Sequence, residues 1–139
     1  MSKTFEKKCA EIKKNFAPLS TEERYHFLME LGRRLPPFPN SLKTADRIVP
    51  GCQSTLYLHA TLKEGCMVFE ACADALISAG LAALLIAVYS GETPETVLKC
   101  PPDFIAELGL ATSLSLNRSN GLAHIHLRMK QEALKSLVE

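Results

Sequence analysis

The chain lacks an excess of charge of either sign: 16 basic against 15 acidic side chains leave a formal net charge of +1 over 139 residues. Without a broad field to draw in nucleic acid or an anionic membrane, neither is expected as a partner, and partners must be selected by local shape. A membrane-length apolar run is missing too. The most apolar stretch, Ala75 to Tyr89, is shorter than the roughly 20 residues needed to cross a bilayer and is interrupted by Ser78 and Gly80. It reads as a buried helix. The first nine residues mix both signs of charge and hold no uninterrupted apolar core of the signal-peptide kind, so a cytoplasmic location is expected. No C-x-x-C pair occurs. The five cysteines, Cys9, Cys52, Cys66, Cys72 and Cys100, are odd in number, and reduced thiols are the expectation. Internal repeats and low-complexity tracts are absent as well.

What is present is enough for a core. Apolar residues make up 47% of the chain, and its length suits one domain, 1–139. Phe5, Cys9, Ile12 and Phe16 recur at three- and four-residue spacings, which predicts a helix over residues 3–16. Ser20 followed by Glu23 forms a capping box for a second helix that ends against Pro36-Pro37. Residues 36–51 turn to Pro, Asn, Ser, Lys and Asp, a composition that sustains neither helix nor ladder. A loop of this length in a compact domain is often functional. Gln53 to Lys63 alternates apolar and polar, and residues 66–73 alternate again after Glu64-Gly65, so the pair reads as an antiparallel hairpin. Asp74 is placed to cap the long apolar helix, which stops near Gly91. Thr93-Pro94 starts a short helix broken by Cys100-Pro101-Pro102, residues 103–108 are helical again, and Asn117 or Ser119 can cap a last helix to about Leu137. The order gives an α+β fold: a small antiparallel sheet with helices packed mainly on one face.

Cys52 follows Val49-Pro50-Gly51 where the loop enters the first strand. Proline holds Val49 extended and glycine turns where other residues cannot, so the thiol can be projected at a loop tip. From these residues alone, an ordinary half-buried thiol beside a turn remains the competing reading. The other four cysteines read as packing or surface thiols. Cys66 and Cys72 share a strand face but stand roughly 20 Å apart at about 3.3 Å per residue, too far to share one ion. His124 and His126, two apart on a helix, point to different faces, and His26 and His59 stand alone, so no metal site is expected. Ser54, His59 and Asp74 contain the residue types of a hydrolase triad, but no nucleophile elbow accompanies them.

Four stretches carry a resemblance: Glu22 to Pro36, Val49-Pro-Gly-Cys-Gln-Ser54, Ala73-Asp-Ala75 with Gly80-Leu81, and Leu116-Asn-Arg-Ser-Asn-Gly-Leu122. In order and spacing they resemble the SufE/CsdE family over roughly residues 10–135, and G-C-Q-S together with R-S-x-G-L is the specific part. The resemblance implies an α+β domain similar to iron–sulfur scaffold proteins. It also implies that Cys52 accepts persulfide sulfur from a cysteine desulfurase of the SufS or CsdA type, stimulates that enzyme, and passes sulfur toward an iron–sulfur scaffold complex. Arg118 matches the family arginine before S-x-G and would stabilise the thiolate or persulfide. Gly51, Gln53, Tyr57 and Asp74 would contribute to the partner-facing surface. Tyr57 stands where well-known members carry Trp, and Ala79 where a basic residue is often found before the helix glycine. No cofactor is expected on this chain, pyridoxal phosphate belonging to the desulfurase; a homodimer is left open. The alternatives are an iron–sulfur or metal scaffold module and a desulfurase regulator that carries no sulfur.

Overall fold

The structure is a computed structural model that describes residues 3–52, 54–110 and 121–139. Helix α1 runs Lys3–Phe16 and α2 Thr21–Arg33; strands β1, Leu56–Lys63, and β2, Cys66–Ala73, form the hairpin; α3, Leu76–Tyr89, α4, Pro94–Lys99, and α5, Leu122–Val138, complete the order. The α+β class expected from the sequence is what is observed.

Each boundary has a local cause. Both halves of the Ser20 and Glu23 capping box are formed, satisfying two free donors at the start of α2. Thr93 accepts from the Thr96 N–H and Pro94 occupies the first turn of α4. At the hairpin turn Glu64 and Gly65 take φ of 53° and 82°, the left-handed pair that matches the twist of two tightly joined strands. The register sets Lys63 opposite Cys66 and Leu56 opposite Ala73. Leu56, Leu58, Met67, Phe69 and Ala71 therefore share one buried face, covered by helices. Tyr57, His59, Glu70 and Cys72 lie on the other face.

The long apolar helix is the hub. α3 is buried continuously from Ser78 to Ala82 and again at Leu84, Leu85, Val88 and Tyr89, and it meets α2 at backbone distance. A Cβ built on Gly80 would fall 2.4 Å from the Leu28 carbonyl oxygen, and one on Gly32 would fall 2.8 Å from the Gly80 nitrogen. Gly32 and Gly80, facing each other, let the two helices close to backbone contact. At the far end of α3, Glu92 is only 4% exposed. Its carboxylate accepts from Lys8 Nζ at 2.7 Å and from Thr4 Oγ1, which ties α1 to the end of α3.

Four expectations shift. Asp74 does not cap α3: the cap position is Ala75, without a side-chain bond, and Asp74 is turned toward Thr55 instead. Strand β1 begins at Leu56 rather than Gln53, because Thr55 spends its backbone groups on Asp74 rather than on the ladder. The segment from Pro36 is not free of regular structure. It holds two single turns of 3-10 helix, Asn40–Leu42 and Ala45–Arg47, and Ile48 bridges to Tyr57. Ile48 and Val49 are β-branched and precede Pro50, which favours the extended backbone such a bridge requires. Last, α5 starts at Leu122 with Gly121 in the cap position; the caps expected at Asn117 or Ser119 lie outside the described residues.

Candidate functional site

Val49 donates its N–H to Leu56 O at 2.9 Å, and Ile48 pairs with Tyr57, so residues 49–56 close into a loop standing on the edge of β1. Cys52 is at its tip. The incoming limb is anchored by Val49, which is fully packed in the core. The outgoing limb is anchored twice: Thr55 N–H donates to the Asp74 carboxylate at 3.1 Å while Asp74 N–H returns to Thr55 O at 3.2 Å, and Ser54 Oγ donates to Ser78 Oγ at 2.9 Å. Asp74 thus acts on the loop itself, holding its base to the end of β2. Cys52 lies in the short stretch between the two anchors.

The tip rests against α5. Gly51 has φ +90°, open to glycine at little cost, and a Cβ there would land 2.6 Å from atoms of the His124 ring. Gly121 has φ +95°, and a Cβ there would fall 2.8 Å from Cys52 Sγ and 3.5 Å from its Cβ. Glycine at both positions is what lets the thiol nest on the first turn of the helix. Cys52 is half-buried and packs against the hydrophobic core. Burial pushes its thiol pKa up, so the sheltered form is held protonated. A protonated thiol is a weak nucleophile, the thiolate being the reactive form.

The other sequence-selected residues are arranged around this loop to different degrees. Tyr57, on the outer face of β1, stacks on Phe38 with ring centroids 6.2 Å apart and so braces the earlier part of the 36–51 segment. Gln53 and Arg118 lie outside the described residues. Ser54, His59 and Asp74 do not converge as a triad: Ser54 bonds Ser78, His59 Nδ1 accepts from Arg47 Nε at 3.1 Å, and Asp74 holds Thr55. Cys66 sits beside the hairpin turn and Cys72 near its base, opposite Lys63 and Tyr57 respectively. Cys9 and Cys100 are buried, and burial raises the Cys9 thiol to about 11. No group of three or more metal-ligating side chains occurs among the described residues.

His124 and Gly121 were not selected as contacts of the thiol from the sequence. Their three-residue spacing along a helix start was readable. That this strip faces residues 51 and 52 was not, because nothing local couples positions some seventy residues apart.

Comparison with known proteins extends the resemblance. Residues 10–133 match the family model described as "SufE: Fe-S metabolism associated domain". An uncharacterized SufE-like protein of Synechocystis sp. is 36% identical over 113 residues, 81% of this chain and 71% of that protein. The chloroplastic/mitochondrial SufE-like protein 1 of Arabidopsis thaliana is 37% identical over 91% of this chain, which spans only 35% of that longer protein. The Plasmodium vivax cysteine desulfuration protein SufE is 36% identical over 72% of this chain and 41% of its own length. A solution structure of a hypothetical protein from Thermus thermophilus superimposes with a TM-score of 0.77 at 28% identity, covering 95% of this chain and 97% of that one.

Proposed function

The chain belongs to the SufE family of iron–sulfur metabolism, and on that premise we propose that it is a sulfur acceptor whose working group is the Cys52 thiol. The observation that carries the reading is the loop geometry: one cysteine at a tip pinned on both sides, nested against Gly121 and kept protonated by burial. A carrier needs a thiol that is sheltered between encounters and exposed during them.

The transfer balances without an outside oxidant. The Cys52 thiolate attacks the terminal sulfur of a persulfide on a cysteine desulfurase; a new S–S bond forms at Cys52 while the enzyme's own S–S bond breaks. The desulfurase cysteine leaves as thiolate and is free for another turnover, which is how an acceptor stimulates the enzyme. Pyridoxal phosphate chemistry stays on the desulfurase. The persulfide then moves by the same exchange to an iron–sulfur scaffold complex.

Docking has to draw the loop tip off α5, because the thiol in its nest is held protonated and half covered. Gly51 and Pro50 supply the pivot, and Tyr57 with the Asp74 side of the loop base supplies surface beside it. Incubating the protein with a cysteine desulfurase and free cysteine, then reading intact mass without reductant, tests the proposal. Wild type is expected to gain about one sulfur atom and Cys52→Ser none, as thiolate exchange requires. Equal labelling of Cys52→Ser would sink it. Amide exchange over residues 46–54 is expected to rise when the desulfurase is saturating.

A further inference from the structure

Gly121, His124 and Arg128 follow one another at spacings of three and four, so they form a single strip along α5. The loop lies along that strip in the opposite direction. Gly121 abuts Cys52, the His124 ring abuts Gly51, and Arg128 reaches the backbone before them. Arg128 Nη1 donates to Ile48 O at 3.1 Å and Nη2 donates to Asp46 O. Its Nε donates to the Glu132 carboxylate at 3.2 Å, one turn further along the helix. That ion pair sets the plane of the guanidinium so that its two remaining nitrogens face the loop.

An arginine spent on two main-chain carbonyls holds a segment rather than a side chain. The fork is rigid, so both bonds form or break together. Asp46 and Ile48 lie just before the anchor at Val49, and Arg128 is the residue of this strip that bonds the main chain of this limb. We infer that Arg128 is a positioning residue, a latch that keeps the Cys52 loop closed on α5, and that its release sets how often the thiol is presented for sulfur transfer. The inference rests on the sulfur-acceptor reading for its purpose, though not for its geometry.

The test is alkylation of the protein by iodoacetamide at fixed pH, with each cysteine followed by peptide mass, in wild type, Arg128→Ala, Arg128→Lys and Glu132→Gln. Arg128→Ala is expected to raise the Cys52 rate roughly tenfold, since two charge-assisted bonds are lost. Burial is the one cause that raises the Cys52 thiol, and losing a positive charge could only make a thiol less reactive, so a rise reports opening and not electrostatics. Arg128→Lys should recover part of the protection, because an ammonium can reach one carbonyl but cannot fork to both. Glu132→Gln should stay within about threefold of wild type, as the carbonyl bonds survive it. Cys66, half-buried on the hairpin, and Cys9, on the buried face of α1, are internal controls whose rates should not change. A Cys52 rate in Arg128→Ala within about twofold of wild type overturns the latch, since two lost bonds would then have cost nothing. So does a rise shared by Cys9 and Cys66, which marks general loosening. Should the alanine variant be insoluble, Arg128→Gln carries the same readout. No desulfurase enters this experiment. A protein that opens as expected yet loads no sulfur on Cys52 therefore refutes the acceptor reading and leaves the latch standing.

Discussion

Gly80 lies in the seam between α2 and α3, and Gly121 in the seam between α5 and the Cys52 loop; they differ in what a methyl group would strike. At Gly80 it would meet the Leu28 carbonyl oxygen at 2.4 Å, main chain in a helix that cannot step aside. At Gly121 it would meet a cysteine side chain at 2.8 Å, on a short loop between two anchors. Both are close contacts made by glycine, but the first is locked and the second can part. The inner seam is built from buried apolar surface, whereas the outer one relies on a few hydrogen bonds to a loop. The proposed sulfur acceptor would need both in one molecule: a frame that does not yield and a tip that does.

The comparison can be attacked first at its rigid side. Gly80→Val should cost more than about 3 kcal/mol or prevent folding, because neither backbone can retreat. Chemical denaturation that shows a loss below about 1 kcal/mol would mean that the seam is softer than described. Glu92→Ala should cost about 2 to 3 kcal/mol by the same measurement, a value held below that of a fully buried pair because Lys8 keeps some contact with water. Its Cys52 alkylation should be unchanged, since the damage is on the α1 side.

A helix can serve both regions, and α5 provides the pH test. His126 points inward, stacked on Tyr89 at 5.5 Å, whereas His124 lies against Gly51. The Tyr89 hydroxyl donates to Cys100 O, so in the 3.3 Å contact between Tyr89 and His126 the ring Nε2–H is the donor. Burial, with Lys130 adding repulsion, lowers the His126 pKa to about 4. Above pH 6.5 both folded and unfolded chains hold this ring neutral. As pH falls from 6.5 toward 4 the unfolded chain takes up the proton first, so stability drops across that window. About 1 to 2 kcal/mol should be lost between about pH 7 and 5, allowing for partial solvent screening. His126→Gln should flatten the slope, and an unchanged slope in that variant would place the titrating group elsewhere.

Smaller global effects belong to the yielding side. Gly121→Ala should cost about 1 kcal/mol for its positive φ, yet raise Cys52 alkylation several-fold by displacing the thiol from its nest. If stability falls while alkylation does not change, the contact is structural only. The least stability change, about 0.5 to 1 kcal/mol, is expected for Asp74→Ala, which frees one Thr55 N–H. The start of α3 should be unaffected in amide exchange, because Asp74 is not its cap.

The elements legible in the chain were those whose signals are local. The Ser20 and Glu23 box, the Thr93-Pro94 start, the Glu64-Gly65 turn and the alternation of β1 and β2 each depend on neighbours within four residues, and all are realised. Asp74 departs from its local signal for the complementary reason. A carboxylate before an apolar helix is a good cap by local rules, but closing the hairpin brings the Thr55 N–H within 3.1 Å and wins the side chain. The start of β1 slipped by three residues through that same bond.

Of the site, Cys52 itself was readable, as the cysteine after Pro50-Gly51 and within G-C-Q-S, and so was the loop that carries it. The α+β class followed from element order, and the family from four short stretches in register. What lines the nest was decided only in three dimensions. Gly121, His124 and Arg128 meet residues 46–52 because α5 packs back along the edge of β1, and that path depends on how every intervening element closes on α3. Short-range chemistry writes turns, caps and faces into a sequence. Which distant face a loop comes to rest on is a property of the whole packed core.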